Sequence, residues 1–233
     1  MNVNLTPKPI NFKFGEYINK GFELLKKDFG DIFVGFLVCM LMSIIPFCSY
    51  LAMGNFYKFL RNKSKGIPAR PGDIFNFDDF MTYFILQLIV LGGVIVLYLP
   101  LILMMPAAAY MESGNESPVF PVLFFPYMLV FYIVLFYFVL KGFYIPALIS
   151  FKGIKDIKTA WKTSVIMTKN NLLNIFLFSL VASILGGIGV IACGLGLFLT
   201  LPFAYTANYF AYEDAIQQIE YDEITEIGNT EKF

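Results

Sequence analysis

Long apolar runs separated by short polar segments dominate the pattern of this chain. Four of these runs approach the roughly 20 apolar residues that an α-helix needs to cross a bilayer. They cover residues 82–105, 119–140, 172–192 and 195–212, and none contains a charged side chain. Because hydrocarbon offers no partner for an open backbone, these runs predict membrane-spanning helices. Only Cys193 and Gly194 join the last two runs, which predicts a tight antiparallel hairpin.

An earlier apolar run, from Ile32 to Met53, allows two interpretations. Pro46 interrupts it, and a proline inside a helix removes a hydrogen bond and breaks or kinks the helix. In the first interpretation, residues 29–45 and 47–63 form two short helices in a hairpin. In the second, the run is a single kinked span. We predict the hairpin, which brings the total to about six membrane helices in an all-α transmembrane bundle.

The distribution of basic residues favours the hairpin over the single span. Lysine and arginine in short loops remain on the cytoplasmic side of a membrane. A hairpin places all 17 basic residues on one side, whereas a single span separates five of them from the rest. We therefore expect both termini in the cytoplasm and the connections 106–118 and 193–194 on the far side.

Two other segments alternate apolar and charged residues at helical spacing. Residues 12–29 and 154–169 each place aromatic and aliphatic side chains on one face and lysines on the other. We predict amphipathic helices at the headgroup level, where lysines meet anionic lipid and aromatic rings lie at the interface. The alternative is that both helices pack on the cytoplasmic side of the bundle. The candidate contacts with lipid headgroups or a partner are Lys155, Lys158, Trp161 and Lys162.

These elements divide the chain into three parts. Residues 1–30 are predicted to form an amino-terminal interfacial helix, residues 31–212 a transmembrane helical domain, and residues 213–233 an acidic cytoplasmic tail. The tail carries seven acidic residues and one lysine. Such a composition is typical of a solvated, partly disordered end. The alternative is that its acids pair with the lysines of residues 152–169 or with a partner.

Composition supports a membrane protein and narrows the chemistry. The 233-residue chain is 58% hydrophobic and 15% charged, with a mean hydropathy of +0.69, whereas globular proteins average about 25% charged residues. It has no histidine, which removes imidazole bases and the common zinc sites. Its net charge of zero gives no reason to expect nucleic acid. We predict no metal site and no cofactor, and we interpret Cys39, Cys48 and Cys193 as small buried residues.

Few polar side chains interrupt the predicted spans. The deep candidates are Gln87, Asn174 and Asn208, and hydrogen bonds between helices account for such residues without a substrate. The spans have no acidic or basic residue at membrane depth, which disfavours proton-coupled transport through buried carboxylates. Small residues near the end of the third run, among them Ser183 and Gly187, are expected to let two helices approach closely.

Three stretches resemble a group of bacterial polytopic membrane proteins of unknown function. They are GNFYKFLRNKSKGIPARPGDIFNFDDF (54–80), AWKTSVIMTKNN (160–171) and GGIGVIACGLGLFLTLPFAYTANYFAYED (186–214). The membrane domain that accompanies some glycerophosphodiester phosphodiesterases is similar. The resemblance implies a helical domain of about six helices in a bacterial plasma (inner) membrane. It implies no catalytic residue and brings no phosphodiesterase activity to this chain.

These observations lead us to expect an integral membrane protein that is not an enzyme. A scaffold, assembly factor or accessory subunit that binds membrane lipid or another membrane protein fits the lysine-rich cytoplasmic side. A transporter of small solutes or lipids is the alternative, because prolines interrupt several spans. A membrane-embedded enzyme would require Asp73, Asp78 and Asp79 to gather around a metal ion.

Overall fold

The structure is a computed structural model that describes residues 7–112, 119–192 and 196–230, without the side chains of 104–112, 119–121, 123, 192 and 221–230. Within these residues all regular structure is helical, which confirms the all-α prediction. The helices are α1 (Phe14–Lys27), α2 (Phe29–Ile44), α3 (Ser49–Ser64), α4 (Phe80–Glu112), α5 (Val119–Lys141), α6 (Ile145–Lys152), α7 (Ile157–Met167), α8 (Leu172–Gly187) and α9 (Leu197–Thr230), with 3-10 turns at Pro71–Ile74 and Ile188–Ala192.

The first apolar run folds as two helices, α2 and α3, that pack antiparallel to each other. Asp31 near the start of α2 pairs with Lys63 near the end of α3. Halfway along, the rings of Phe36 and Phe56 lie 6.2 Å apart. The chain reverses at residues 45–48, around Pro46. This region is therefore a hairpin and not one kinked helix.

Three segments are long and apolar enough to cross a membrane, namely Phe80–Leu103, Phe124–Lys152 and Leu172–Ile191. Only 6%, 17% and 28% of their apolar stretches, respectively, are buried inside the protein. The helix α2 is apolar but shorter. Length and composition thus support three candidate spans in the described part of the chain, fewer than the six that we predicted.

The helix α9 lies at the centre of the helical core. It packs against α1, α3, α6 and α8, and residues including Phe203, Ala207, Tyr209 and Ile216 are buried. The predicted span 195–212 is therefore largely an interior segment from Phe203 onward. This burial explains why it tolerates polar residues such as Thr206, whose hydroxyl donates to the Phe203 carbonyl over 2.9 Å.

The helices α8 and α9 approach closely through small residues. The Thr200 hydroxyl of α9 donates to the Gly186 carbonyl of α8 over 2.5 Å, and a Cβ atom on Gly186 would lie 3.1 Å from Cβ of Ala204. The predicted contact residues Ser183 and Gly187 lie outside this interface, because Ser183 is exposed and Gly187 has open space beside it. The small-residue interface thus lies one position away from the one expected. Residues 193–194, predicted to join the two helices, lie outside the described residues.

The segment predicted as a solvated tail begins inside α9. The helix continues without a break to Thr230, and Glu213, Ala215, Ile216 and Ile219 are buried. Apolar residues recur at helical spacing here, so one face packs into the core despite the acidic composition. The helix α9 thus runs through residue 213, and the division of the chain at that residue stays a prediction.

The amphipathic helix α1 packs on α9. Tyr17, Gly21, Leu24 and Leu25 are its buried residues. A Cβ atom on Gly21 would lie 2.8 Å from the backbone of Ala207, so glycine allows the two helices to touch. The lysines of α1 remain on its outer face. The predicted amphipathic pattern thus corresponds to a helix that is packed on the body of the protein with a charged side facing outward.

Candidate functional site

Charged side chains gather where α9 meets α3 and α6. Glu213 of α9 is only 6% exposed, and its carboxylate lies 2.8 Å from Nε of Arg61 and 2.7 Å from Nζ of Lys65. The Arg61 guanidinium also lies 4.7 Å above the ring of Phe151. A buried carboxylate is tolerated only when it is paired. The ion pairs of Glu213 therefore join α9 to α3, and the contact of Arg61 with Phe151 adds α6.

The next residue, Asp214, holds α1 in place. It accepts hydrogen bonds from Nζ of Lys13 over 2.9 Å and from the Tyr17 hydroxyl over 2.6 Å. Burial, together with this hydrogen bond, raises the pKa of the Tyr17 phenol well above its usual value. The hydrogen bond to Asp214 likewise raises the pKa of the Lys13 ammonium. Both groups therefore remain protonated donors at physiological pH.

A third pair joins Lys152 to Glu220 over 2.9 Å, so the predicted pairing between the tail and residues 152–169 occurs in one contact. We refer to these paired residues together as the charged end: Lys13, Arg61, Lys65, Lys152, Glu213, Asp214 and Glu220. Other ion pairs of the described residues, Lys58–Asp79 and Lys63–Asp31, lie in segments that were also predicted to face the cytoplasm.

The helix α7 and the residues just before it present the predicted lipid-contacting lysines to the outside. Lys155, Lys158 and Lys162 are exposed, and none of them forms an ion pair with the described residues. Trp161 is half-buried, with its ring 5.7 Å from that of Phe138 at the end of α5. The side chain of Asp156 caps α7 by accepting the Thr159 amide over 2.9 Å. The structure thus places a lysine-rich helix beside the base of a candidate span.

The three predicted intramembrane polar residues do not form a common site. Asn174 is exposed and donates to the Asn171 side chain over 3.3 Å. Gln87 and Asn208 are half-buried, and each has a buried amide oxygen without a hydrogen-bond partner among the described residues. The helix α4, which carries Gln87, packs mainly against α3, α5 and α7.

A polar cavity lies where residues 65–80 fold over α3. Asn55 holds this loop by donating to the carbonyls of Ile74 over 2.9 Å and Asn76 over 2.6 Å. We refer to the space as the loop cavity. It has a volume of about 450 Å³ and is lined by Asn55, Lys58, Phe59, Asn62, Ala69, Gly72, Asp73, Phe75 and Asn76.

The three aspartates of this region have separate structural roles. Asp73 accepts the Arg70 amide over 2.8 Å, Asp78 accepts the Asn76 side chain over 2.8 Å, and Asp79 pairs with Lys58 over 2.5 Å. Among the described residues, no three acidic, cysteine or histidine side chains are grouped so that they could hold a metal ion. The geometry therefore gives no support to metal-dependent catalysis at these aspartates.

A smaller groove separates α1 from α8 and α9. It has a volume of about 290 Å³ and is lined by Ile18, Asn19, Phe22, Glu23, Leu185 and Phe203. Neither Gln87 nor Asn208 lines this groove or the loop cavity. The unsatisfied amide oxygens thus do not open into either space.

The sequence patterns did not reveal the charged end or the loop cavity. One available signal was the spacing of Arg61 and Lys65, four residues apart on α3, which places two cations on one helix face. A second was the run of Ala215, Ile216 and Ile219, which marks an apolar helix face within the acidic tail. Read together, these signals indicate an acidic helix held by cations of another helix.

No protein-family model, curated protein or solved structure matches this chain. The resemblance to bacterial polytopic membrane proteins therefore stays a prediction, and the function has to be argued from the geometry.

Proposed function

We propose that this chain is an integral membrane protein that serves as a scaffold, assembly factor or accessory subunit, binding membrane lipid or another membrane protein. One observation carries the proposal: only 6%, 17% and 28% of the apolar stretches of Phe80–Leu103, Phe124–Lys152 and Leu172–Ile191, respectively, are buried inside the protein. Soluble monomers rarely expose large contiguous apolar patches. Lipid and neighbouring membrane helices are the surroundings that suit such surfaces.

The proposed membrane is the bacterial plasma (inner) membrane, crossed several times, with both termini in the cytoplasm. The charged end supports this arrangement, because α1, the end of α3 and the second half of α9 all contribute to it. The candidate span of α4 begins next to the Lys58–Asp79 pair. The apolar tip of the α2–α3 hairpin, with Ile44 and Ile45 exposed, lies at the other end of those helices.

A role without catalysis fits the charged groups. The acids at the charged end already have partners: Glu213 pairs with Arg61 and Lys65, and Asp214 with Lys13. Catalytic acids and bases, by contrast, face a cleft where a substrate reaches them. Lys158 and Lys162 of α7, and Lys155 just before it, are exposed and form no ion pair with the described residues. Exposed lysines beside a candidate span suit anionic headgroups or an acidic partner.

Transport of a small solute or lipid is the alternative proposal. It draws support from Gln87 and Asn208, whose buried amide oxygens lack partners, since polar groups at membrane depth often line a substrate path. The absence of a cavity shared by these residues, among the spaces described above, makes the scaffold the better supported function.

Purification from native membranes in a mild detergent tests the scaffold. We expect the chain to retain anionic phospholipid or a second membrane protein, measured by mass spectrometry of intact complexes. Replacing Lys155, Lys158 and Lys162 together by glutamine should lower the retained anionic phospholipid at least about fivefold, because each lysine near a membrane contributes ~1 kcal/mol. Lys169→Gln, an exposed lysine outside that set, is the matched control. A solitary chain with neither lipid nor protein contradicts the proposal.

Cysteine labelling on intact cells tests the topology. Cys39, Cys48 and Cys193 are first replaced by alanine, and single cysteines are then introduced as Asn2→Cys, Ser113→Cys or Lys232→Cys. All three positions lie outside the described residues. We expect a membrane-impermeant maleimide to label only Ser113→Cys until the cells are permeabilised, because lysine-rich segments stay cytoplasmic. Labelling of Asn2→Cys or Lys232→Cys on intact cells would show that the proposed topology is wrong.

A further inference from the structure

The wall of the loop cavity carries hydrogen-bonding groups that the protein itself does not use. The side-chain amide of Asn62 has no hydrogen-bond partner among the described residues. Asn55 is 3% exposed, and its amide nitrogen serves two loop carbonyls while its amide oxygen accepts no hydrogen bond within the described part. Both asparagines line the loop cavity, so a ligand in this space can reach these unused groups.

The cavity also places a cation next to anions. The Lys58 ammonium has three N–H donors, of which one reaches Asp79 over 2.5 Å. One carboxylate oxygen of Asp73 accepts the Arg70 amide, and the other is free. The lining therefore offers N–H donors from Lys58 and Asn62 together with oxygen acceptors from Asn55 and Asp73. A ligand with both a negative and a positive group matches this lining better than a simple anion or cation.

Exposed apolar and aromatic side chains surround the cavity, as is typical of protein surfaces at a membrane interface. Ile67, Phe75 and Phe77 of the covering loop are exposed, and so is Met81 at the start of α4. Aromatic residues are enriched at the headgroup level of membranes. The loop leads directly into the candidate span Phe80–Leu103. Given the proposed membrane location, on which this inference rests, the cavity opens among lipid headgroups.

We propose that the loop cavity binds the headgroup of a zwitterionic phospholipid with a primary ammonium, of the phosphatidylethanolamine class. The phosphate accepts hydrogen bonds from Lys58 and Asn62, and the ammonium donates to the side-chain oxygens of Asn55 and Asp73. The volume of about 450 Å³ lies within the ~300–1,000 Å³ of typical ligand sites. A trimethylated choline headgroup lacks the N–H donors and leaves those oxygens unpaired, so the site selects against it.

Titration of the delipidated full-length chain in mild detergent tests the site. The probes are phosphatidylethanolamine and phosphatidylcholine, two zwitterionic lipids with identical acyl chains, measured by native mass spectrometry. We expect phosphatidylethanolamine to bind about tenfold more tightly than phosphatidylcholine. Equal affinity for the two lipids overturns the proposal. Soluble phosphoethanolamine that binds as tightly as the lipid overturns a membrane source for the ligand.

A matched pair of substitutions separates the cavity from the rest of the surface. Asn62→Leu removes the unused amide and should weaken phosphatidylethanolamine binding about tenfold. Asn174→Leu, on an exposed asparagine of α8, should leave it unchanged. An unchanged affinity in Asn62→Leu contradicts the site. The lipid comparison on the unsubstituted chain decides the question even if Asn62→Leu fails to fold.

Reconstitution distinguishes failure of this site from failure of the proposed function. Vesicles of phosphatidylethanolamine and phosphatidylglycerol are mixed with the purified chain and floated on a density gradient. A chain that stays out of the vesicles refutes the membrane role and this site together. A chain that inserts normally but shows no headgroup preference refutes the site alone.

Discussion

Glu213→Gln is expected to lower the free energy of unfolding by about 3 kcal/mol, because breaking a buried ion pair from one side leaves the other charge uncompensated. Glu213 is 7% exposed at its side chain and Arg61 only 22%. The amide that replaces the carboxylate keeps the volume but no longer balances Arg61 and Lys65. The helix α9 then loses its charge pairing with Arg61 and Lys65 at the end of α3.

Thermal unfolding of the purified chain in detergent, followed by the fluorescence of its single tryptophan, measures this loss. For a chain of this size, 3 kcal/mol corresponds to a decrease in Tm of roughly 10 °C. Glu16→Gln is the control, because Glu16 and Lys20 form an exposed pair and such pairs contribute at most about 1 kcal/mol.

A double substitution tests whether the uncompensated charge of Arg61 causes this loss of stability. Arg61→Met/Glu213→Leu removes both charges and keeps apolar volume, and such exchanges are often neutral or stabilising. We therefore expect the double variant to be more stable than Glu213→Gln. If Glu213→Gln unfolds at the same temperature as Glu16→Gln, the charged end does not hold the helices together in the way described here.

The membrane-related elements were predictable because their signals are local. The apolar runs of α4, α5 and α8 are visible in the sequence without knowledge of their neighbours. Pro46 ends α2 for a reason that depends only on its own backbone, since proline lacks the amide hydrogen. Each of these features is decided within about twenty residues of the chain.

The centre of the core was not predictable in the same way. The helix α9 contains an apolar stretch and an acidic stretch, and this change in composition led us to divide the chain at residue 213. Glu213 is buried beside Arg61, 152 residues earlier, and Lys65, which together balance its charge. Tyr17, 197 residues from Asp214, completes the arrangement. Pairings over such distances depend on the packing of whole helices, which hydrophobic periodicity does not encode.

The candidate site likewise has one part that sequence spacing predicts and one part that it does not. Helical spacing predicted that the lysines of residues 154–169 share an outer face, and Lys155, Lys158 and Lys162 are exposed in the structure. The loop cavity does not follow from spacing, because it depends on Asn55 reaching the carbonyls of Ile74 and Asn76, 19 and 21 residues away. An asparagine near charged residues in a sequence gives no indication that its side chain shapes a loop.

Gly54→Ala is expected to destabilise the protein about as strongly as the loss of Glu213, by roughly 3 kcal/mol, through overpacking and lost hydrogen bonds. A Cβ atom at position 54 would lie 2.2 Å from the Tyr83 hydroxyl oxygen and 2.4 Å from Cζ of the same ring. Tyr83 is fully buried, and its hydroxyl lies 2.6 Å from that of Ser150. The Ser150 hydroxyl in turn donates to the Gly54 carbonyl over 3.1 Å. The ring cannot move without breaking this link between α3, α4 and α6.

The same thermal unfolding measurement, applied to three further variants, distinguishes the overlap with Tyr83 from the general effect of replacing a helical glycine by alanine. Gly30→Ala is the control, because Gly30 is also helical but has open space beside it, and alanine there should leave stability unchanged or raise it by up to about 1 kcal/mol. Tyr83→Phe removes only the hydroxyl and should cost about 1 kcal/mol. In Gly54→Ala/Tyr83→Phe the contact of the new Cβ atom with the hydroxyl oxygen disappears, while its contact with Cζ remains. The double variant should therefore lose less unfolding free energy than the sum of the losses in the two single variants. Strict additivity, or a Gly54→Ala protein as stable as Gly30→Ala, would mean that Tyr83 does not occupy the space beside Gly54.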